Sequence, residues 1–351
     1  MPDILIYIIS FILLIVVLAV FAHFMNKNRR YEIEYNQGIE AYQAQNYDEA
    51  VHFFQKATSI NKEKPDAFYN LGLVYMDMNK NSQSEKNFTK AIELGPDDSD
   101  SYYNLGLLYL NMERYNDALK QFQKVLKILP NDPESLYLSG CLYREQDKIE
   151  DAIEHLTKAV KASPENPDYN YALGTAYDKK SAENQNFKDM ERAISLYKKT
   201  LELDETSEEA NYSLAICSAK QGLWEDCVDY CKKVLEINDK SARAYNQMGL
   251  AMYCNSDYDS AISMYNKALQ IDPDYLETYN NYGFVLEKQG NFEEAVNMFK
   301  KYLKLSQNSK DKNLKSRINE LSNNEDSLKT KQRAIEDHIK QLEECIKMQD
   351  K

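Results

Sequence analysis

The side chains able to do chemistry in this 351-residue chain are few and scattered. Cys227 and Cys231 stand four residues apart, a spacing that puts both on one helix face and could begin a metal site. No histidine lies near them in sequence, and both fall on core positions of the helical pattern described below, so packed apolar thiols are expected. Cys141, Cys217, Cys254 and Cys345 lack the neighbours that activate a nucleophile, and His23, His52, His155 and His338 are spread along the chain without a carboxylate pair. Nothing reads as a phosphate-cradling glycine loop or a nucleophile elbow, so neither catalysis nor a cofactor or metal ion is expected. What recurs is recognition chemistry. Tyrosine returns as Tyr35, Tyr69, Tyr103, Tyr137, Tyr171 and Tyr212, followed directly by Asn36, Asn70 and Asn104 in the first three cases, with Asn281 at the matching place near the end. Tyrosine offers apolar area and a hydroxyl at modest entropy cost, and a carboxamide can donate to and accept from a peptide backbone at once.

The elements that must position these residues show most clearly in Ser99 to Asp132, SDSYYNLGLLYLNMERYNDALKQFQKVLKILPND. Tyr102, Leu105 and Tyr109 form one helical stripe, and Tyr115, Ala118, Phe122, Val125 and Ile128 form a second, at spacings of three and four. Asn111 to Arg114 separates them, and Pro130 stops the second helix because its ring has no N–H and clashes with the preceding turn. The segment therefore predicts a helical hairpin, with small Gly106 and Ala118 where the two helices cross.

This segment resembles the tetratricopeptide repeat, a unit of about 34 residues. The family's positions four, seven, eight, eleven, twenty, twenty-four, twenty-seven and thirty-two are met by Tyr102, Leu105, Gly106, Tyr109, Ala118, Phe122, Val125 and Pro130. In that register the unit recurs about eight times from Tyr31 to Ser309, roughly four fifths of the chain. Position eight reads Gly38, Gly72, Gly106, Gly140, Gly174, Ala215, Gly249 and Gly283; position twenty reads Ala50, Ser84, Ala118, Ala152, Ala193, Cys227, Ala261 and Ala295. Repeat five carries about seven extra residues around KKSAENQNFK, judged against the usual repeat length, expected as extra helical turns or a polar loop, and either a tolerated insertion or a lip over the groove.

The resemblance implies an all-α solenoid, a right-handed superhelix whose first helices line a concave face. Family ligands touch positions two, five, six, nine, twelve and thirteen of each repeat, and the recurring tyrosines sit at position five. They would form a binding ladder or help neighbouring first helices pack. Asn36, Asn70, Asn104 and Asn281 occupy position six, where family members holding extended peptides use asparagine, although Leu138, Ala172, Ser213 and Gln247 interrupt the series. The resemblance therefore implies a scaffold that takes an extended segment of a protein partner. The family's clamp for a C-terminal carboxylate is matched only by Asn70, and a carboxylate ligand would meet Asp66 and Asp100. Arg144, Lys179, Lys220, Arg243 and Lys288 make the groove positions of the later repeats less acidic.

Before the repeats, residues 1–30 hold the apolar run Ile4 to Phe24, about 32 Å as a helix and enough to cross a bilayer. Met1, Pro2 and Asp3 before it, and bulky Phe21, His23 and Phe24 at its end, fit an anchor better than a cleaved signal peptide. Lys27, Arg29 and Arg30 follow it, so the positive-inside rule places the repeats in the cytoplasm. After the repeats, residues 310–351 hold a capping segment at Leu314, Ile318 and Leu321, then a charged helix with the stripe Leu328, Ile335, Ile339, Leu342 and Ile346. Its heptads are broken by Glu325 and Gln332, so it is expected to fold back or stand free, or to pair with a partner or a second copy. That last use belongs to a different reading, an assembly protein that self-associates through its anchor and C-terminal helix.

Composition agrees. With 43 basic and 56 acidic residues, the net charge of −13 argues against a nucleic-acid binder, which needs a basic stripe. Six cysteines without a paired framework fit a reducing compartment.

Overall fold

The computed structural model describes residues 2–307 and 325–349. Among the described residues the chain forms seventeen helices and no strand. It divides into two compact units, Met1–Pro164 and Glu165–Lys351. In the first, α1 (Pro2–Gln43) pairs with α2 (Tyr47–Ile60), α3 (Pro65–Asp77) with α4 (Asn81–Leu94), α5 (Ser99–Asn111) with α6 (Tyr115–Ile128), and α7 (Pro133–Glu145) with α8 (Ile149–Ala162). In the second, α9 (Pro167–Asn184) pairs with α10 (Phe187–Leu203), α11 (Glu208–Lys220) with α12 (Trp224–Ile237), α13 (Ala242–Cys254) with α14 (Tyr258–Ile271), and α15 (Leu276–Lys288) with α16 (Phe292–Gln307). The last helix, α17 (Glu325–Gln349), packs on α16.

Each hairpin closes around the side chain at position twenty-four, a large one in every repeat but the sixth. Phe54, Phe88, Phe122 and Leu156 in the first unit, and Tyr197, Cys231, Tyr265 and Phe299 in the second, are all buried. Burying such a ring contributes about 1.5 to 3 kcal/mol. The glycine at position eight lies directly beneath it: a Cβ on Gly106 would stand 2.7 Å from a Phe122 ring carbon, and one on Gly72 would stand 2.5 Å from Phe88. Where position eight is Ala215, the facing residue is the smaller Cys231, so volume is conserved across the pair. Ser84, standing where other repeats have alanine, is buried and donates its hydroxyl to the Gly72 carbonyl at 2.7 Å. That bond offsets the cost of burying a polar group.

The turn inside each hairpin needs one left-handed residue. Gln45, Asn79, Glu113, Asp147, Gln185 and Ser256 have positive φ, as do Gly222 and Gly290. The following residue then bonds back to the first helix, as when the Lys80 amide donates to the Tyr75 carbonyl at 2.8 Å. In repeat five the added residues lengthen both helices, α9 to 18 residues and α10 to 17, so the insertion is made of extra helical turns. Asp189 is buried there and accepts from Asn186 and Arg192.

Two ends of the chain differ from a plain stack of hairpins. The apolar run and the first helix of repeat one are a single helix: α1 has 42 residues, about 63 Å at the α-helical rise, and its part from Phe11 on is long and apolar enough to cross a membrane. Phe11, Leu13, Val20 and Phe21 on it touch no core and lie exposed. At the other end, the stripe of α17 is used within the chain. Ile339 and Leu342 are buried against Phe299 and Val296 of α16, Lys300 pairs with Glu343 at 2.8 Å, and His338 meets Glu287 at 2.9 Å. Of that stripe, Ile335, Ile339, Leu342 and Ile346 thus pack on the solenoid's own last hairpin. Leu314, Ile318 and Leu321 lie outside the described residues.

Candidate functional site

In the first unit Tyr35, Tyr69, Tyr103 and Tyr137 come from α1, α3, α5 and α7 and share one face of their helices. The first three are held identically from behind: Tyr35 packs on Phe54, Tyr69 on Phe88 and Tyr103 on Phe122, with centroid separations of 5.8, 6.0 and 5.9 Å and the same 58° tilt. The core ring of each repeat therefore aims the tyrosine of that repeat. From the next repeat, Asn70 donates to the Tyr35 hydroxyl at 3.0 Å, and Asn104 to the Tyr69 hydroxyl at 3.1 Å. The same amide nitrogens also donate to the carbonyls of Asp66 and Asp100, both at 2.9 Å. Both N–H bonds of each carboxamide are thus spent inside the fold, and Oδ1 is the atom left to meet a ligand. Tyrosine and asparagine form one clip, which joins neighbouring repeats and fixes the rings. The clip stops at Tyr103, because Leu138 stands at the next step. Asn36 is exposed on α1.

Carboxylates wall this row of rings. One cavity of about 370 Å³ is lined by Tyr35, Tyr69, Asn70, Asp66, Asp98 and Asp100. A second, of about 230 Å³, lies one repeat further on and is lined by Asp100, Tyr103, Asp132 and Glu134 with Val125 and Leu129. Burial raises the pKa of all three tyrosines, and the carboxylates add to it: Asp66 acts on Tyr35, Asp100 and Asp98 on Tyr69. Tyr103 is pushed up to about 12 by burial, then by Glu134 and Asp132. The hydroxyls therefore remain neutral donors across the physiological range. Asp98 and Asp132 are also helix N-caps, accepting from the amides of Asp100 and Ser135, so the cavity walls are rigid.

In the second unit the matching residues have other partners. The Tyr171 hydroxyl lies 3.4 Å from the Ser213 hydroxyl. Tyr212 lies beneath the Arg243 guanidinium, 4.5 Å from ring centroid to Cζ. Arg243 in turn donates to Glu208 at 2.8 Å and to Glu209 at 2.6 Å. Asn281 donates to Asn246, which stands at the position of the tyrosines and also accepts from Thr278. Of the cations expected to make the later groove less acidic, three are paired: Arg243 as above, Lys220 with Asp178, and Arg144 with Glu145. Cys227 and Cys231 are buried in the core, and no group of three metal-ligating residues occurs among the described residues.

Sequence reasoning met Asp66 and Asp100 only as a bar to a carboxylate ligand, and passed over Asp98, Asp132 and Glu134 as walls of the site. The signal was present: position two is acidic in repeat after repeat, as Glu32, Asp66, Asp100, Glu134, Asp168, Glu209 and Glu277, with Arg243 the exception.

Profiles of the tetratricopeptide repeat match residues 65–98, 99–132, 206–274 and 240–308, and a further TPR-repeat profile matches 38–79 and 140–181. This chain is a tetratricopeptide-repeat protein. A tetratricopeptide repeat protein from Parabacteroides merdae has the same fold, with a TM-score of 0.56 at 17% identity over 72% of this chain and 97% of that one. So does pilF from Pseudomonas aeruginosa, with a TM-score of 0.51 at 21% identity over 65% and 97%. YrrB, described as a TPR protein with an unusual peptide-binding site, is 26% identical over 54% of this chain and 95% of its own, with a TM-score of 0.46. No curated protein sequence matches significantly. Membership in the family supports a protein–protein interaction scaffold.

Proposed function

We propose that this tetratricopeptide-repeat protein is a membrane-anchored adaptor, without catalytic activity, that holds an extended segment of a protein partner along the tyrosine face of its first helices. The observation that carries this reading is the row Tyr35, Tyr69 and Tyr103, each ring braced by a core aromatic and two of the three clipped by Asn70 and Asn104. Rings ordered before binding lose little entropy when a ligand arrives, so their area and hydroxyls count in full. The carboxamides contribute mainly by fixing the tyrosines, and their Oδ1 atoms accept from a backbone N–H. Tyr137 in the first unit, and Tyr171, Tyr212 and Asn281 in the second, hold the same repeat positions with different local partners.

The anchor reading is supported by the continuity of α1. With no turn between apolar run and first repeat, the groove would be tied to the bilayer by a stiff rod. Lys27, Arg29 and Arg30 at the end of the run favour repeats on the cytoplasmic side.

The test is capture of partners by the full chain in mild detergent, compared with a Tyr69→Ala/Tyr103→Ala variant. Partners lost selectively from the variant are the expected result. An unchanged partner set would refute the groove reading, and a chain that captures only itself would support the assembly role.

A further inference from the structure

We propose that the groove in residues 31–164 takes a basic segment, an extended stretch of a protein with lysine or arginine at every third position; the inference rests on the groove reading above. The two cavities along it repeat the same pattern one repeat apart: a tyrosine ring and three carboxylates, Asp66, Asp98 and Asp100 in one and Asp100, Asp132 and Glu134 in the next. No basic side chain lines either. Among the described residues neither Asp66 nor Asp100 has an ion-pair partner.

The chain itself shows what such a place accepts. At the corresponding step of the second unit, Arg243 lies over the ring of Tyr212 and bonds Glu208 and Glu209. At the end of repeat one, Lys64 lies over Tyr31, 4.4 Å from the ring centroid, and pairs with Glu32 at 2.6 Å. In both, a cation rests on a tyrosine face with carboxylates around it, the arrangement favoured by the ring quadrupole and by charge-assisted hydrogen bonds. The register position of Arg243, two residues into the following repeat, is filled in the first unit by Asp66, Asp100 and Glu134. At Asp66 and Asp100 a carboxylate thus stands where Tyr212 meets a guanidinium, which leaves the place of the cation to a ligand. Neighbouring helices pack about 8 to 10 Å apart, and a chain in the polyproline II form advances about 3.1 Å per residue with three residues per turn, so side chains three apart stand on one face. One cation per cavity therefore means a basic residue about every third position.

The test uses the full chain in detergent micelles and fluorescence anisotropy with labelled synthetic peptides. The peptides are a Gly/Ser peptide carrying Lys-x-x-Lys-x-x-Lys, its isomer with the lysines adjacent, and a version with acetyl-lysine throughout. The spaced peptide should bind at least tenfold more tightly than the acetylated one and more tightly than the isomer, with affinity falling as salt rises. Asp66→Asn/Asp100→Asn should weaken it about tenfold. Asp100→Arg, which rebuilds the Arg243 arrangement, should abolish it while circular dichroism stays unchanged. Equal binding of the acetylated peptide, with loss in Tyr69→Ala, would overturn the basic assignment and leave the groove reading intact. Binding of the spaced peptide that Asp100→Arg does not affect would overturn the proposed location. Spermine competing as strongly as the peptide would overturn the extended-segment assignment. No binding by any peptide, together with partner capture indifferent to the groove variant, would remove both readings.

Discussion

Gly106→Ala tests the principle that builds every repeat. On helix propensity alone the change should stabilise α5, because alanine in a helix is favoured over glycine by about 0.5 to 1 kcal/mol. The structure predicts the reverse. The new Cβ would lie 2.7, 2.9 and 3.1 Å from three ring carbons of Phe122, a fully buried side chain that Tyr103 also packs against. Overpacking of this kind costs about 1 to 3 kcal/mol. With two contacts inside 3.0 Å on a stiff ring, the upper half of that range applies, which leaves a net loss of about 1 to 2.5 kcal/mol. Repeat arrays do not unfold in one step, so urea denaturation by circular dichroism should be paired with hydrogen exchange of α5 and α6 amides, where the loss should concentrate. The second site is decisive. Phe122→Cys alone leaves a cavity, but Gly106→Ala/Phe122→Cys should be more stable than the sum of the singles by at least about 1 kcal/mol. The chain already carries such a pair in Ala215 and Cys231. A Gly106→Ala chain that gains stability, or a double variant with no coupling, would refute the account.

Three further outcomes follow from the same geometry. Glu113 sits at φ 57 in its turn with an exposed side chain, so Glu113→Gly should raise stability by about 1 kcal/mol, read from the urea midpoint. Glu208 is pushed up by burial, but hydrogen bonds from Asn238 and Arg243 outweigh this and hold its pKa below the usual carboxylate range. A depressed folded pKa gives stability that is present above the unfolded value and lost as pH falls through the folded one. The second unit should therefore weaken on acidification below about pH 4, and Arg243→Leu should flatten that acid limb in pH-dependent melting. Leu342→Asp places a charge in the buried contact between α17 and α16, and should release α17 to fast hydrogen exchange while the amides of the first unit keep their protection.

The sequence by itself determined the hairpin, its register and its small-residue crossings, because each depends on residues within one repeat, three, four or sixteen positions apart. It also placed Tyr35, Tyr69 and Tyr103 at one recurring position, and the buried thiols of Cys227 and Cys231 in the core. The tertiary structure decided whatever depends on a neighbour about a repeat away. It spent the Asn70 and Asn104 donors on tyrosines of the preceding repeat, set Asp66 and Asp100 as cavity walls, and neutralised Arg243 on Glu208 and Glu209. It likewise joined the apolar run to the first repeat as one helix and laid α17 on α16, where a broken heptad pattern left folding back, standing free and pairing all open. The physical reason is the same in each case. Periodicity reports which face of a helix is apolar, but which group satisfies a polar atom depends on what the stacking of repeats brings within hydrogen-bonding distance.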